Sequence, residues 1–183
     1  LATALGRHAL AAVVRDELAS LGVEVVDLAT DYAGRPAMAS ILVSDPGGDR
    51  TVASTAAMGL PDDVLGEDVF EPRPDVLLTD GHLLAASIRA AEIARALGVP
   101  VVMDGGSWKP GHAGLLTLAQ YAICSEHYLA PGVETPDQIL RDLERRGVAA
   151  RAVTRGERPI AWESPEGSGT IEVEPVEAMD TLG

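Results

Sequence analysis

Between Pro74 and Gly156 the sequence alternates short apolar runs with helical patterns, and few architectures accept that order. The runs are Pro74–Thr79, Val101–Met103, Tyr121–Cys124 and Ala149–Thr154, each short enough and apolar enough to read as a buried strand. Between them, Leu83–Leu97 carries Leu84, Ile88, Ile93 and Leu97 on an alanine background and stops at Gly98. Gly111–Gln120 reads as a second helix. Thr135–Arg146 is a third, with Thr135 as N-cap, Pro136 in the first turn, and Arg145 and Arg146 before Gly147. A β-α-β-α-β-α-β order predicts a mainly parallel sheet with right-handed crossovers and helices on both faces. Ligands of such sheets bind beyond the carboxyl ends of the strands. That rule selects Asp80-Gly81-His82, Asp104 through Lys109, Ser125-Glu126 and Thr154-Arg155-Gly156.

The flanks differ from this core. His8–Leu21 has amphipathic helical spacing and leads into a strand at Val23–Leu28. Met38–Ser44 and Arg50–Thr55 are strand-like runs around Asp45-Pro46-Gly47-Gly48-Asp49, a hairpin signal. This segment, about 36–56, predicts a small β-layer set against the main domain as a lid or dimer contact. Past Gly156, Pro159–Glu163 and Thr170–Val173 read as two further strands around a turn at Ser164–Ser168. The chain ends on Asp180-Thr181-Leu182-Gly183, the opening of a turn that could present backbone N–H groups to an anion.

Composition narrows the partners. Apolar residues make up 46% of the 183 but aromatics only 3%, so a core must be built from Ala, Val, Leu and Ile. A formal charge of −14 argues against nucleic acid and against anionic membrane, which both need basic surface. No run reaches the roughly 18 apolar residues of a membrane span. Cys124 is the single cysteine, which fits a reducing compartment, and a cytoplasmic location is expected. His8, His112 and His127 show no metal-ligand spacing with Cys124, so no zinc site is expected.

The order of V-T-R-G (Val153–Gly156), two short strands and then D-T-L-G (Asp180–Gly183) resembles the PfkB/ribokinase family of carbohydrate kinases. I-L-V-S-D-P-G-G-D-R-T (Ile41–Thr51) is similar to that family's lid hairpin, which closes over the sugar. D-G-G-S-W-K-P-G (Asp104–Gly111) and A-I-C-S-E (Ala122–Glu126) resemble its third and fourth core strands. The resemblance covers nearly the whole chain. It implies one ribokinase-like domain over 1–183, a three-layer α/β/α core with a mainly parallel sheet and a β-hairpin lid. It further implies transfer of the ATP γ-phosphate to a hydroxyl of a small sugar, with ATP, Mg²⁺ and a monovalent cation such as K⁺, and a homodimer through the lid.

Phosphoryl transfer requires neutralised phosphate charge, a deprotonated hydroxyl and exclusion of water. The resemblance places the family's Gly-Ala-Gly anion hole and catalytic Asp at and beyond Gly183, and its N-terminal sugar-binding Asp and Gly-Gly…Asn motif before Leu1. Residues 1–183 alone are therefore expected to phosphorylate nothing. Gly183 would begin the anion hole, and Asp180 would help bind the monovalent cation; the plain alternative for Asp180 and Thr181 is a helix cap and turn. Thr154 and Gly156 would contact the nucleotide phosphates, or else form an ordinary strand-end turn. Ser125 and Glu126 fall where the family has Asn-x-x-Glu, a motif that organises Mg²⁺ through water. Here Ser125 takes the Asn position and Tyr128 the Glu position, so Glu126 either compensates or is a solvated acid. Lys109, the only lysine, would reach the transferred phosphate or simply be solvated. Asp80, His82 and Asp104 would line the sugar side; for Asp104 the alternative is capping the Ser107 loop, and for His82 capping a helix.

Two other readings remain open on the residues. One is a nucleoside or other small-alcohol kinase of the same fold. The other is a non-catalytic α/β binding protein, for which an acidic surface would suffice. A dinucleotide-binding enzyme is not expected, because no G-x-G-x-x-G follows a first strand.

Overall fold

The structure is a computed structural model, and it describes residues 1–43, 50–55, 57–62 and 65–174. These fall into two compact units, one within residues 1–62 and one spanning Leu65–Glu174.

In the first unit, β1 (Ala2–Thr3) pairs in parallel with β2 (Val26–Asp27) across helix α1 (Ala9–Ser20). The expected strand at 23–28 is thus only two residues long. Its end is organised by one carboxylate. Asp27 accepts the N–H groups of Leu5, Gly6 and Ala29 and pairs with Arg15. Strands β3 (Ala39–Val43) and β4 (Arg50–Ser54) form an antiparallel ribbon in unbroken register from Ala39–Ser54 to Val43–Arg50. The turn sequence Asp45–Asp49 lies outside the described residues. All five residues of β3 are exposed, including Ile41, Leu42 and Val43.

The second unit opens with a short 3-10 turn at Glu67–Phe70 and continues as β5 (Leu77–Thr79), α2 (Leu84–Ala96), β6 (Val101–Gly105), α3 (His112–Leu116), β7 (Tyr121–Ser125), α4 (Pro136–Arg145), β8 (Ala150–Arg155), β9 (Arg158–Ser164) and β10 (Gly167–Ile171). They form one six-stranded sheet in the order β10-β9-β8-β7-β6-β5. Strands β5 to β8 are mutually parallel, and β9 and β10 extend the sheet antiparallel beyond β8.

Helix ends follow from the local sequence. Thr135 accepts the Gln138 N–H at the start of α4, with Pro136 behind it and Asp137 in the first turn. At its far end Gly147, at φ +89°, donates to the Glu144 carbonyl, and Val148 donates to Leu143. Helix α2 ends the same way, with Gly98 to Arg95 and Val99 to Ala94. A residue with a side chain would be strained at that left-handed position, and the bonded pair reverses the chain directly toward the next strand. Helix α3 is shorter than the sequence suggested. Gly114 sits inside it, and beyond Leu116 the bonds tighten to Leu118–Leu115 and Ala119–Leu116 turns.

Because β5, β6, β7 and β8 are neighbours in chain order, right-handed crossovers bring α2, α3 and α4 over the same face. Strand burial records this: Val101, Met103, Gly105, Ala122, Cys124 and Val153 are buried, whereas the alternating Leu78, Asp104, Tyr121 and Ile123 are exposed. Within this unit α2, α3 and α4 therefore cover one face of the mainly parallel sheet that the sequence predicts. The core lies between that face and Ala90, Ala94, Leu115, Leu116, Ile139 and Leu143. Alanines on α2 let the helix approach the strands closely, as the aromatic-poor composition requires. Leu143 is 1% exposed, so Leu143→Ala is expected to cost about 2–5 kcal/mol through lost burial and a residual cavity. Thermal unfolding of the purified variant checks this.

Candidate functional site

The carboxyl ends of β5 to β8 stand side by side along one edge of the second unit's sheet. Register sets Thr79 beside Met103, Gly105 beside Cys124, and Ser125 beside Thr154. Asp80, His82, Lys109, Ser125, Glu126, Thr154 and Gly156 are all carried to this edge by the strands that precede them.

At the β5 end, Thr79 is buried, donates its hydroxyl proton to Ser87 of α2 at 2.9 Å and accepts the Gly81 N–H. The chain therefore turns sharply, Asp80 accepts the His82 N–H at 3.0 Å, and both side chains are exposed. The N-cap of α2 is Leu83, so His82 does not cap that helix. Asp104 lies one residue inside β6, on the face away from the helices, and is exposed beside Ile123. Lys109 is half-buried in the loop after β6, and its ammonium has no ion pair among the described residues.

The β7 and β8 ends are tied together. The Glu126 N–H donates to the Thr154 carbonyl at 2.9 Å, and the Thr154 hydroxyl leans toward the Cys124 carbonyl at 3.5 Å. Gly156 turns the chain at φ +63° with open space around it, leaving its backbone approachable. Glu126 is not a free acid, because its carboxylate is paired with Arg158 at the start of β9. Arg155 braces the same turn by donating to the Pro159 carbonyl at 2.8 Å.

Behind this edge lies a cluster that sequence reasoning missed. His112, fully buried, hydrogen-bonds Tyr128 through Nδ1 at 2.9 Å and the Gly81 carbonyl through Nε2 at 3.3 Å. Trp108 packs edge-on against both rings, and the Arg146 guanidinium lies 5.0 Å above the Trp108 ring. Burial pushes the Cys124 thiol up to about 12, helped by Asp104, and raises the Tyr128 hydroxyl as well. Neither is a nucleophile at neutral pH. Tyr128, at the position where the Asn-x-x-Glu motif ends in an acid, is thus a packed core residue. The available signal was composition: three of only six aromatic residues, Trp108, Tyr121 and Tyr128, fall within a window of 21 residues that also holds His112 and His127. Arg158 was missed too, being distant from Glu126 in sequence and brought to it only by the β8–β9 hairpin.

The donors at this edge suit an anion such as a phosphate: a lysine, a hydroxyl, an open glycine turn and Arg158. They suit a divalent cation less well. Among the described residues no three His, Cys, Asp or Glu side chains gather as a metal-binding group, and Glu126 is already neutralised by Arg158. Asp180 and Gly183 lie outside the described residues. Among the described residues, no helix is long and apolar enough to cross a membrane. In the first unit a pocket of about 530 Å³ is lined by Tyr32, Arg35, Met38, Thr55 and Met58 among others; it borders the expected lid hairpin and includes none of the candidate nucleotide-, phosphate- or sugar-binding residues.

No family model matches the sequence, and no curated protein matches it. Solved structures do. A PfkB protein from Polaromonas superposes with a TM-score of 0.76 at 19% identity, over 96% of this chain and 66% of its own. Ribokinase from Thermotoga maritima gives a TM-score of 0.75 at 13% identity, over 98% of this chain and 61% of its own. This is the ribokinase fold. Fructokinase from Xylella fastidiosa shares it, with a TM-score of 0.72 at 17% identity over 94% of this chain and 60% of its own. A protein described as ribokinase II from E. coli, solved in complex with ATP and Mg²⁺, matches with a TM-score of 0.79 at 18% identity, over 97% of this chain and 63% of its own. The chain spans about three fifths to two thirds of the length of these ribokinase-fold proteins.

Proposed function

We propose that the protein carrying this chain is a carbohydrate kinase of the PfkB/ribokinase family, transferring the ATP γ-phosphate to a hydroxyl of a small sugar. The observation that carries this reading is the joined β7–β8 edge. There the V-T-R-G turn, open at Gly156, is bonded through the Thr154 carbonyl to Glu126 in a ribokinase fold. Thr154 and the backbone around Gly156 bind the nucleotide phosphates. Lys109 supplies a positive charge toward the transferred group, and Asp80, His82 and Asp104 face the sugar side. Arg158 holds Glu126 neutralised beside the phosphates, so a Mg²⁺ role for Glu126 competes with that pair. Mg²⁺, when bound with ATP, would neutralise phosphate charge. The base and anion hole belong to the segment from Asp180 onward, with a monovalent cation beside it. The exposed apolar β3–β4 ribbon acts as a lid and as the contact in a homodimer, since a two-stranded ribbon is marginal in water unless covered.

The test uses the product of the complete reading frame with ATP, Mg²⁺ and a panel of ribose, fructose, other ketohexoses and nucleosides, followed by ADP release and product mass. One sugar should turn over, and Thr154→Val should raise the KM for ATP on the order of tenfold, the worth of one hydrogen bond to a charged group. No turnover anywhere on the panel would overturn the reading.

A further inference from the structure

We propose that His112 is a positioning residue: its neutral imidazole clamps together the loops after β5, β6 and β7 by bridging the Gly81 carbonyl and the Tyr128 hydroxyl. The protonation pattern follows from the partners. A carbonyl can only accept, so Nε2 carries the proton and donates to Gly81. Nδ1 is then a bare lone pair, and the Tyr128 O–H donates to it. The bridge joins residues 31 and 16 positions apart, one in each neighbouring loop. Trp108 and His112 also hold the two sides of the segment that carries Lys109, since Trp108 packs on His112 and Tyr128. A single buried side chain thus sets how the three loops bearing Asp80, Lys109 and Glu126 stand relative to one another.

Adding a second proton to His112 would make Nδ1 a donor and take from the buried Tyr128 O–H the acceptor it has in this bond. Every charged neighbour bears on that step. Burial lowers the basicity of His112 most, the Gly81 carbonyl raises it, Lys109 and His82 lower it, and Asp80 raises it; the net direction is down. Around Tyr128 stand Cys124 of β7, with Arg146 and Asp142 at the end of α4. An unfolded histidine titrates near 6.5, so below about pH 6.5 protons bind the opened state first. The clamp is complete above that pH and loosens as pH falls.

Trp108 reports on this directly, because the chain has two tryptophans and Trp162→Phe leaves Trp108 alone. In that background the Trp108 emission should change as pH falls below about 6.5, while far-ultraviolet circular dichroism stays constant. His112→Phe, which keeps a ring but cannot titrate, should abolish the change. Tyr128→Phe should move its midpoint, and it serves if His112→Phe does not fold. A flat wild-type titration, a transition surviving in His112→Phe, or an unmoved midpoint in Tyr128→Phe would each overturn the clamp. The activity arm rests on the kinase reading: kcat/KM of the complete protein should fall with the same midpoint, and that limb should vanish in His112→Phe. An inactive protein with the predicted fluorescence would sink the kinase reading and leave the clamp standing; activity with a flat fluorescence titration would do the reverse.

Discussion

Gly105→Val should lower stability by about 2–3 kcal/mol, because the site has no room for a side chain. Gly105 ends β6 on the helix-covered face, where even a Cβ would lie 2.6 Å from the Cys124 sulfur and 3.0 and 3.1 Å from two ring carbons of Tyr128. Neither neighbour can yield cheaply. Cys124 is fully buried on the adjacent strand, and the Tyr128 ring is held between His112 and Trp108. A branched side chain must therefore spread β6 from β7 or expel the tyrosine. Thermal unfolding measures the loss, and a double-mutant cycle identifies its cause. Cys124→Ala alone should destabilise by leaving a small cavity, but in the Gly105→Ala background the two costs should sum to less than their separate values. Strict additivity would show that the crowding lies elsewhere.

Asp27→Ala should cost about 3–5 kcal/mol, the range seen when one partner of a buried charge network is removed. The side chain is only 8% exposed, and its oxygens take the N–H groups of Leu5, Gly6 and Ala29 together with the Arg15 guanidinium. Without them, three backbone donors lose their acceptor at once, and Arg15 loses its counter-charge and keeps only the Gly6 carbonyl. Burial by itself would raise this carboxyl, but the bonds from Leu5, Ala29, Arg15 and Gly6 outweigh it, and the group titrates below its ordinary value. The sign of the pH effect follows. The unfolded carboxylate protonates near 3.9, so the contribution is complete above that pH and disappears as pH falls through the lower folded value. Urea unfolding between pH 7 and 3 should show the wild type losing more stability than Asp27→Ala over this acid range. Parallel curves would refute the assignment.

The parts of the molecule legible in its sequence are those governed by local rules. Thr135-Pro136 and Gly147 mark α4 because capping needs only near neighbours, and the runs at Val101 and Tyr121 read as strands because they are buried and bounded. The four strand ends could be selected from chain order alone, since parallel topology forces them to one edge. What stayed hidden depends on long-range partners. Nothing near Glu126 announces Arg158, which arrives from 32 residues away, and nothing near His112 announces Gly81. The placing of all three helices over one face was also unreadable, because it depends on spatial strand order, which alternation does not encode.

The Gly-Val exits of α2 and α4 have a consequence for how such a protein can diverge. Strands β6 and β8 each start three residues after their helix-ending glycine, so insertions there would break backbone bonds needed to aim the strand. At the opposite edge, apart from the one backbone bond from Glu126 to Thr154, the loops are joined by side chains, His112 to Tyr128 and Arg158 to Glu126, which can be exchanged one at a time. Length variation and new specificities should therefore accumulate on one rim of the sheet, while the other rim keeps its spacing through long evolutionary drift.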